Sequence, residues 1–312
     1  MGPRPALRGL AGPLLAAALA SCAADPPAPT ATPTPSPTPL TLGTAERPVV
    51  LLLAPSADPD RALALGRDLA SELERPSGLR WDVRLPRSDA ESLEDLCGAF
   101  GEVAVLGQLT TLLATRQNCA APVLALVRPE GAVASATFRR DVIVRADGPA
   151  SLSALRGGAI AHGDERSSPG SLAVLLLVWR ELRVDPLTFF ERSLSLGDHD
   201  AAREALARGD VDAASVAPPA LAGLRVLATT PALPNEPVVV RIGVGDELTA
   251  RIRAALLEVA GTDRGRAILE ELYGATGLAP AAAADYEPFR EAAVLGEVDL
   301  EAEAARTPRP RR

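Results

Sequence analysis

Between residues 48 and 106 the chain alternates between buried-strand and amphipathic-helix patterns, and this limits its architecture more tightly than any other feature. Val49-Val50-Leu51-Leu52-Leu53-Ala54 is a continuous apolar run ended by Pro55-Ser56-Ala57-Asp58-Pro59, which predicts a buried strand. Leu63, Leu65, Leu69 and Leu73 then recur at helical spacing over Arg61–Leu73. Trp81–Leu85 alternates as a strand, Ala90–Phe100 reads as a helix and Val103–Leu106 as a strand. A β-α-β-α-β series calls for a mostly parallel sheet covered by helices, because each parallel neighbour needs a crossover that packs back on the sheet.

The pattern continues with a helix over Leu109–Arg116 and strands over Val123–Val127 and Asp141–Arg145. Ala146-Asp147-Gly148-Pro149 then breaks it, and a short helix over Ser151–Arg156 restarts the alternation, so a crossing into a second lobe is expected near Ala146–Gly148. That lobe holds a strand at Gly158–Ala161, helices over Ser171–Leu182 and Ala201–Arg208, and strands over Asp212–Val216 and Leu224–Ala228. Pro231-Ala232-Leu233-Pro234-Asn235-Glu236-Pro237 leads into Val238-Val239-Val240 and suits a second crossing, near Leu233–Pro237, back to the first lobe. Helices over 247–260 and 263–273 complete it. The expected division is lobe 1 over 47–146 with 237–292, lobe 2 over 147–236, and a mobile tail over 293–312 without apolar periodicity.

Ahead of this body, Arg4 and Arg8 precede an apolar segment, Leu10–Ala20, that is too short to span a bilayer and reads as an export signal over 1–21. It ends Leu19-Ala20-Ser21-Cys22, which resembles the bacterial lipobox, so acylation of Cys22 and an extracytoplasmic, membrane-anchored location are expected. In the plainer reading Cys22 is an ordinary signal residue lost on processing. Residues 22–46 repeat Thr-Pro and Ser-Pro and form a tether. Cys97 and Cys119 then sit where thiols oxidise; a disulfide is expected, the alternative being two buried thiols. A net charge of −8 and 3% aromatic residues argue against nucleic acid as a partner and leave room for a small anion.

A turn that could hold such an anion is Gly163-Asp164-Glu165-Arg166-Ser167-Ser168-Pro169-Gly170-Ser171, between a strand end and a helix start. That geometry aims backbone N–H groups and a helix dipole at one point, although Ser167 and Ser168 as simple helix caps explain the local pattern equally well. A hydrolase built on Ser167 and His199 lacks a Gly-x-Ser-x-Gly elbow, and the chain has only two histidines, so no enzyme is expected. His162, Asp164, His199 and Asp200 fit no compact zinc spacing; no metal and no cofactor are expected.

The ordered set Gly163-Asp164, Ser167-Ser168, Gly170, then Gly197-Asp198-His199-Asp200-Ala201, then Gly209-Asp210-Val211-Asp212-Ala213, then Pro234-Asn235-Glu236-Pro237 resembles the substrate-binding lipoproteins of phosphate, phosphite and phosphonate ABC importers, the PhnD-like group. The resemblance runs from about residue 48 to about 290. It implies an α/β, two-lobed periplasmic-binding-protein-like fold of type II, with mostly parallel sheets flanked by helices and two hinge crossings. It also implies a monomer holding a small phosphorus oxyanion in an interlobe cleft and passing it to an ABC permease.

By the same resemblance, Ser167 and Ser168 match hydroxyls that hold the ligand's oxygens, with Pro169 in place of a third. His199 matches a histidine donor, and Glu236 an aspartate that accepts from a protonated ligand oxygen. A carboxylate there favours phosphate-like or phosphonate-like ligands over sulfate. The pattern places tyrosines where this chain has Ala90, after Asp89, and Phe138. Hydrogen bonds to charged groups contribute about 1.5 to 3 kcal/mol each, so losing two phenols weakens a phosphonate by roughly a hundredfold or more. Asp212 matches a family position too, with a structural role at a strand start the simpler expectation. The competing expectation is a binding lipoprotein that has given up transport for sensing or partner recognition, with a different ligand or none.

Overall fold

In a computed structural model the chain divides into two units, Met1–Pro39 and Leu40–Arg312. The structure describes residues 41–130, 133–163, 169–218 and 223–305, all within the second unit. The expected signal segment, Cys22, nearly all of the tether, Ser167, Ser168 and residues 306–312 lie outside the described residues.

The first lobe opens with β1 (Val49–Leu52), α1 (Pro59–Ser77), β2 (Trp81–Arg84), α2 (Asp89–Cys97), β3 (Val103–Val105) and α3 (Gln108–Arg116). Local chemistry fixes the ends of α1. Asp58 caps it by accepting from the Arg61 N–H at 3.1 Å, Pro59 occupies its first turn, and Gly78 ends it at φ 63°. Leu65, Leu69 and Leu73 are buried on one face of α1, as the periodicity predicts. β4 (Ala120–Glu130), β5 (Val133–Ser135), β6 (Thr137–Phe138) and β7 (Asp141–Arg145) follow.

The second lobe continues through a 3-10 turn at Leu152–Leu155, β8 (Ala159–His162), α4 (Pro169–Leu182), β9 (Arg192–Ser195), α5 (His199–Arg208), β10 (Ala213–Val216) and β11 (Leu224–Thr229). The chain returns through β12 (Leu233–Pro234) and β13 (Pro237–Arg241) to α6 (Asp246–Ala260), α7 (Asp263–Tyr273) and β14 (Gly277–Pro280). A 3-10 turn at Ala283–Tyr286, α8 (Glu287–Leu295) and α9 (Leu300–Ala304) close the described chain.

One sheet has the order β14-β4-β13-β3-β1-β2 with β5 on β4, and the other the order β11-β7-β10-β8-β9; β6 and β12 form a separate two-stranded pair. The α/β two-lobed architecture holds. Pairing is parallel at β1–β2, β1–β3, β8–β9 and β8–β10, where a helix connects strands. It is antiparallel wherever β4, β7 or β13 takes part, because these strands carry the chain across the hinge in the reverse direction, so both sheets are mixed rather than mostly parallel.

Two boundaries differ from expectation. The first crossing lies between β4 and β7, not near Ala146–Gly148. β7 already pairs with β10 and β11 of the second sheet, and the run β5–β6 that makes the crossing is too short to show periodicity. The second crossing does run through Leu233–Pro237. From residue 293, where a mobile tail was expected, the chain instead completes α8 and forms α9. There Ala304 is buried and Glu301 pairs with Arg116 of α3. Short helices with small apolar contacts leave little periodic signal.

α1, α6 and α7 cover one face of the first sheet, and α2, α3 and α9 contribute to the core on the other. A third apolar cluster joins the lobes. Leu109 of α3, Leu172 and Leu176 of α4, Leu233 of β12, and Tyr286 and Phe289 at α8 meet in it, with Phe138 packed against them.

Cys97 at the end of α2 and Cys119 at the start of β4 are joined in a disulfide, Cα–Cα 4.9 Å. With the two cysteines 22 positions apart in the chain, the bond contributes about 3 kcal/mol by restricting the unfolded chain. Replacing both cysteines with serine is therefore expected to lower Tm by roughly 5 to 10 °C in a calorimetric scan; an unchanged Tm would show that the bond constrains nothing that matters to folding.

Candidate functional site

A cleft of about 390 Å³ opens where the lobes meet. Its hinge wall is built by the ends of the crossing strands: Arg128, Pro129 and Glu130 from β4, Thr137 and Phe138 from β6, then Arg140, Asn235 and Glu236. Gln108 at the start of α3 enters from the first lobe. Pro169 and Gly170 at the start of α4, with Ala217 and Pro218 after β10, enter from the second. Two helix N-termini from different lobes therefore converge on one space, each bringing backbone N–H groups with no partner inside its helix. Gly107, which caps α3, has no side chain to occupy those groups.

Charge in the cleft is mixed. Arg128 meets Glu236 at 3.1 Å, both about three-quarters buried. Arg140 lies over the Phe138 ring, 4.7 Å from its centroid. Glu236 thus lines the cleft, with a cationic partner that the family pattern did not suggest. Phe138 lines the cleft and packs on Phe289. Ala90 packs partly buried against the first-lobe core and is not among the residues that line the cleft.

Asp89 sits at the first turn of α2 and just behind Gln108. Its Oδ2 accepts from Thr110 Oγ1 at 2.9 Å and it also accepts from the Gly107 N–H. A Cβ on Gly107 would stand 2.7 Å from that oxygen, which is why glycine fits there. Burial pushes the Asp89 carboxyl above its usual range. The two hydrogen bonds oppose the shift and the negative charge of Glu236 adds to it.

His199 is the first residue of α5, capped by Asp198, and is not among the residues that line the cleft. Its Nδ1 accepts from the Ala217 N–H at 3.3 Å, which places the proton of the neutral ring on Nε2. Arg203 Nη2 donates to the Ala217 carbonyl at 2.6 Å, so α5 holds this part of the cleft wall through both backbone groups of one residue. Gly163 has to be glycine, since a Cβ there would fall 1.9 Å from His199 Nδ1. Asp212 accepts from the Ala159 N–H at 2.8 Å and joins β10 to β8, a structural role.

Sequence reasoning missed Arg128, Arg140 and Gln108. The available signal was position: Arg128 ends an apolar strand, and ligands of α/β sheets gather at the carboxyl ends of strands. No group of His, Cys, Asp and Glu among the described residues could hold a metal ion.

Two lobes on two crossing strands, with a polar cleft at the crossing, define a hinged solute-binding protein. The chain matches the model of the ABC transporter phosphonate periplasmic substrate-binding protein family over residues 51–286, and it belongs to that family. The family is the substrate-binding component of a transporter, not an enzyme. Among solved structures, XAC2383 from Xanthomonas citri, bound to ATP, shares the fold at a TM-score of 0.58 and 19% identity, over 82% of this chain and 99% of that one. PhnD1 from Prochlorococcus marinus, in complex with methylphosphonate, does so at 0.51 and 14%, over 79% and 97%. A TctC solute-binding protein from Polaromonas gives 0.52 and 17%, over 81% and 98%. No curated protein matches the sequence.

The raised value at Asp89 has a sign. The folded state holds this proton more tightly than the unfolded chain, so stability from the group is fully present below about pH 4 and is lost as pH rises through the folded value. Asp89→Asn, which keeps an acceptor for Thr110, removes that loss. The Tm of the variant relative to wild type is expected to climb between pH 4 and pH 7, and a difference flat across that range would contradict the assignment.

Proposed function

We propose that this protein is a lipid-anchored, monomeric binding component that captures a small phosphorus oxyanion in the interlobe cleft for an ABC permease. The observation that carries this is the convergence of the α3 and α4 N-termini with Arg128 and Arg140 on a space bounded by Glu236. Dipoles and guanidinium groups attract the anion, while Glu236 favours an anion that still bears a proton. That combination suits phosphate, phosphite or a phosphonate better than sulfate, which carries none at neutral pH. By the sequence resemblance alone, Ser167 and Ser168 are assigned as hydroxyl donors to the ligand, and His199 serves by holding Ala217 in the wall. Closure follows if the ligand binds the closed arrangement more tightly than the open one.

The anchor rests on sequence. A signal, Cys22 after two small residues and a proline-rich tether suit tethering of the folded body to a membrane surface. Among the described residues no helix is long and apolar enough to cross a membrane.

Titration calorimetry on the protein lacking residues 1–22 tests the ligand class. Phosphate, phosphite or methylphosphonate is expected to bind and, at about 100 times its Kd, to stabilise the fold by about 2.7 kcal/mol, with sulfate clearly weaker. Binding by none of the four would sink the oxyanion reading. For the anchor, Cys22→Ala is expected to move the full-length protein from the membrane fraction to the soluble one; retention in membranes would refute acylation at that residue.

A further inference from the structure

The two phenols that the family pattern would place around a ligand are missing: Ala90 packs half-buried against the first-lobe core and does not line the cleft, and Phe138 lines the cleft without a hydroxyl. The cleft nevertheless has strong donors of another kind. Arg128 closes β4 at the hinge wall and its guanidinium meets Glu236 at 3.1 Å, and Glu236 enters β13 on the other crossing strand. The pair therefore joins the outgoing and returning strands inside the cleft. Arg140 stands along the same wall over Phe138.

A guanidinium offers five N–H donors in a rigid fork and can serve a carboxylate and a second anion at once. We propose that Arg128 is the specificity-determining cation of the cleft, shared between Glu236 and the bound oxyanion, and that Glu236 sets which anions Arg128 accepts. This rests on the oxyanion reading and deepens it. Where the family pattern uses phenols, this chain uses a charge-balanced cation. Arg128 alone would attract any small anion. With Glu236 beside it, an anion that carries a proton donates a hydrogen bond through it to the carboxylate, whereas a fully ionised anion meets repulsion at the same distance. The pair acts as a filter for proton-bearing oxyanions.

Substitutions at two positions, with opposite effects, test the filter on the protein lacking residues 1–22, read by calorimetry with phosphate, methylphosphonate and sulfate. Arg128→Gln is expected to weaken phosphate and methylphosphonate by about tenfold to a hundredfold, and Arg128→Lys by less, since it keeps the charge and loses the fork. Glu236→Gln is expected to strengthen sulfate binding by about tenfold and to narrow its gap from phosphate, because the repulsion is gone while Arg128 remains. Circular dichroism melts of each variant separate lost binding from lost folding. Should Arg128→Gln fail to fold, the Glu236→Gln selectivity decides alone. Wild-type binding that Arg128→Gln leaves within about twofold, or an unchanged phosphate-to-sulfate ratio in Glu236→Gln, overturns this inference and leaves the oxyanion reading intact. Absence of wild-type binding to all three and to phosphite overturns both.

Discussion

Asn235 is the residue on which the hinge depends. Its side-chain amide donates to the carbonyls of Leu126 and Ser135, at 3.0 and 2.9 Å, and its backbone N–H donates to Ala136 at 2.9 Å. The Tyr286 hydroxyl in turn donates to the Asn235 carbonyl at 2.9 Å. One buried residue thus ties the outgoing strand β4, the turn toward β6 and the C-terminal segment ahead of α8. A buried amide is stable only with its hydrogen bonds made, and these bonds can be made in one arrangement of the crossing strands. That arrangement points Arg128, Phe138 and Glu236 at the cleft.

The cleft inherits its electrostatics from this geometry. Strands that cross between lobes bring charged residues at their ends to the hinge wall, and helices following β3 and β8 bring their N-termini to the same place. Among the described residues, two arginines and two glutamates line the resulting space. Selectivity in such a site comes from how charges are paired rather than from their sum. Asp89, bonded to Gly107 and Thr110, extends the negative side behind the wall and feels Glu236.

The segment from Ala281 onward also links the lobes. Tyr286 and Phe289 pack with Leu172 and Leu176 of α4 and with Leu109 of α3, while Arg180 of α4 pairs with Glu291 of α8 at 2.7 Å. Phe138 touches this cluster from the cleft side, at 6.2 Å between its ring centroid and that of Phe289. The lobes are therefore joined by two strands and by an apolar wedge at α8.

The alternation of apolar runs and helical periods was enough to read two α/β lobes, the second crossing at Leu233–Pro237 and most helices, because a buried strand and an amphipathic helix each leave a periodic trace. Composition likewise led to two cysteines in an oxidising setting, and motif order led to the family. The first crossing was misplaced because β5 and β6 are three and two residues long. Strand direction, the place of α8 and α9, and the pairing of Arg128 with Glu236 were decided only by tertiary structure. Residues 108 positions apart in the chain meet through β4–β13 pairing, and nothing local in either segment encodes that contact.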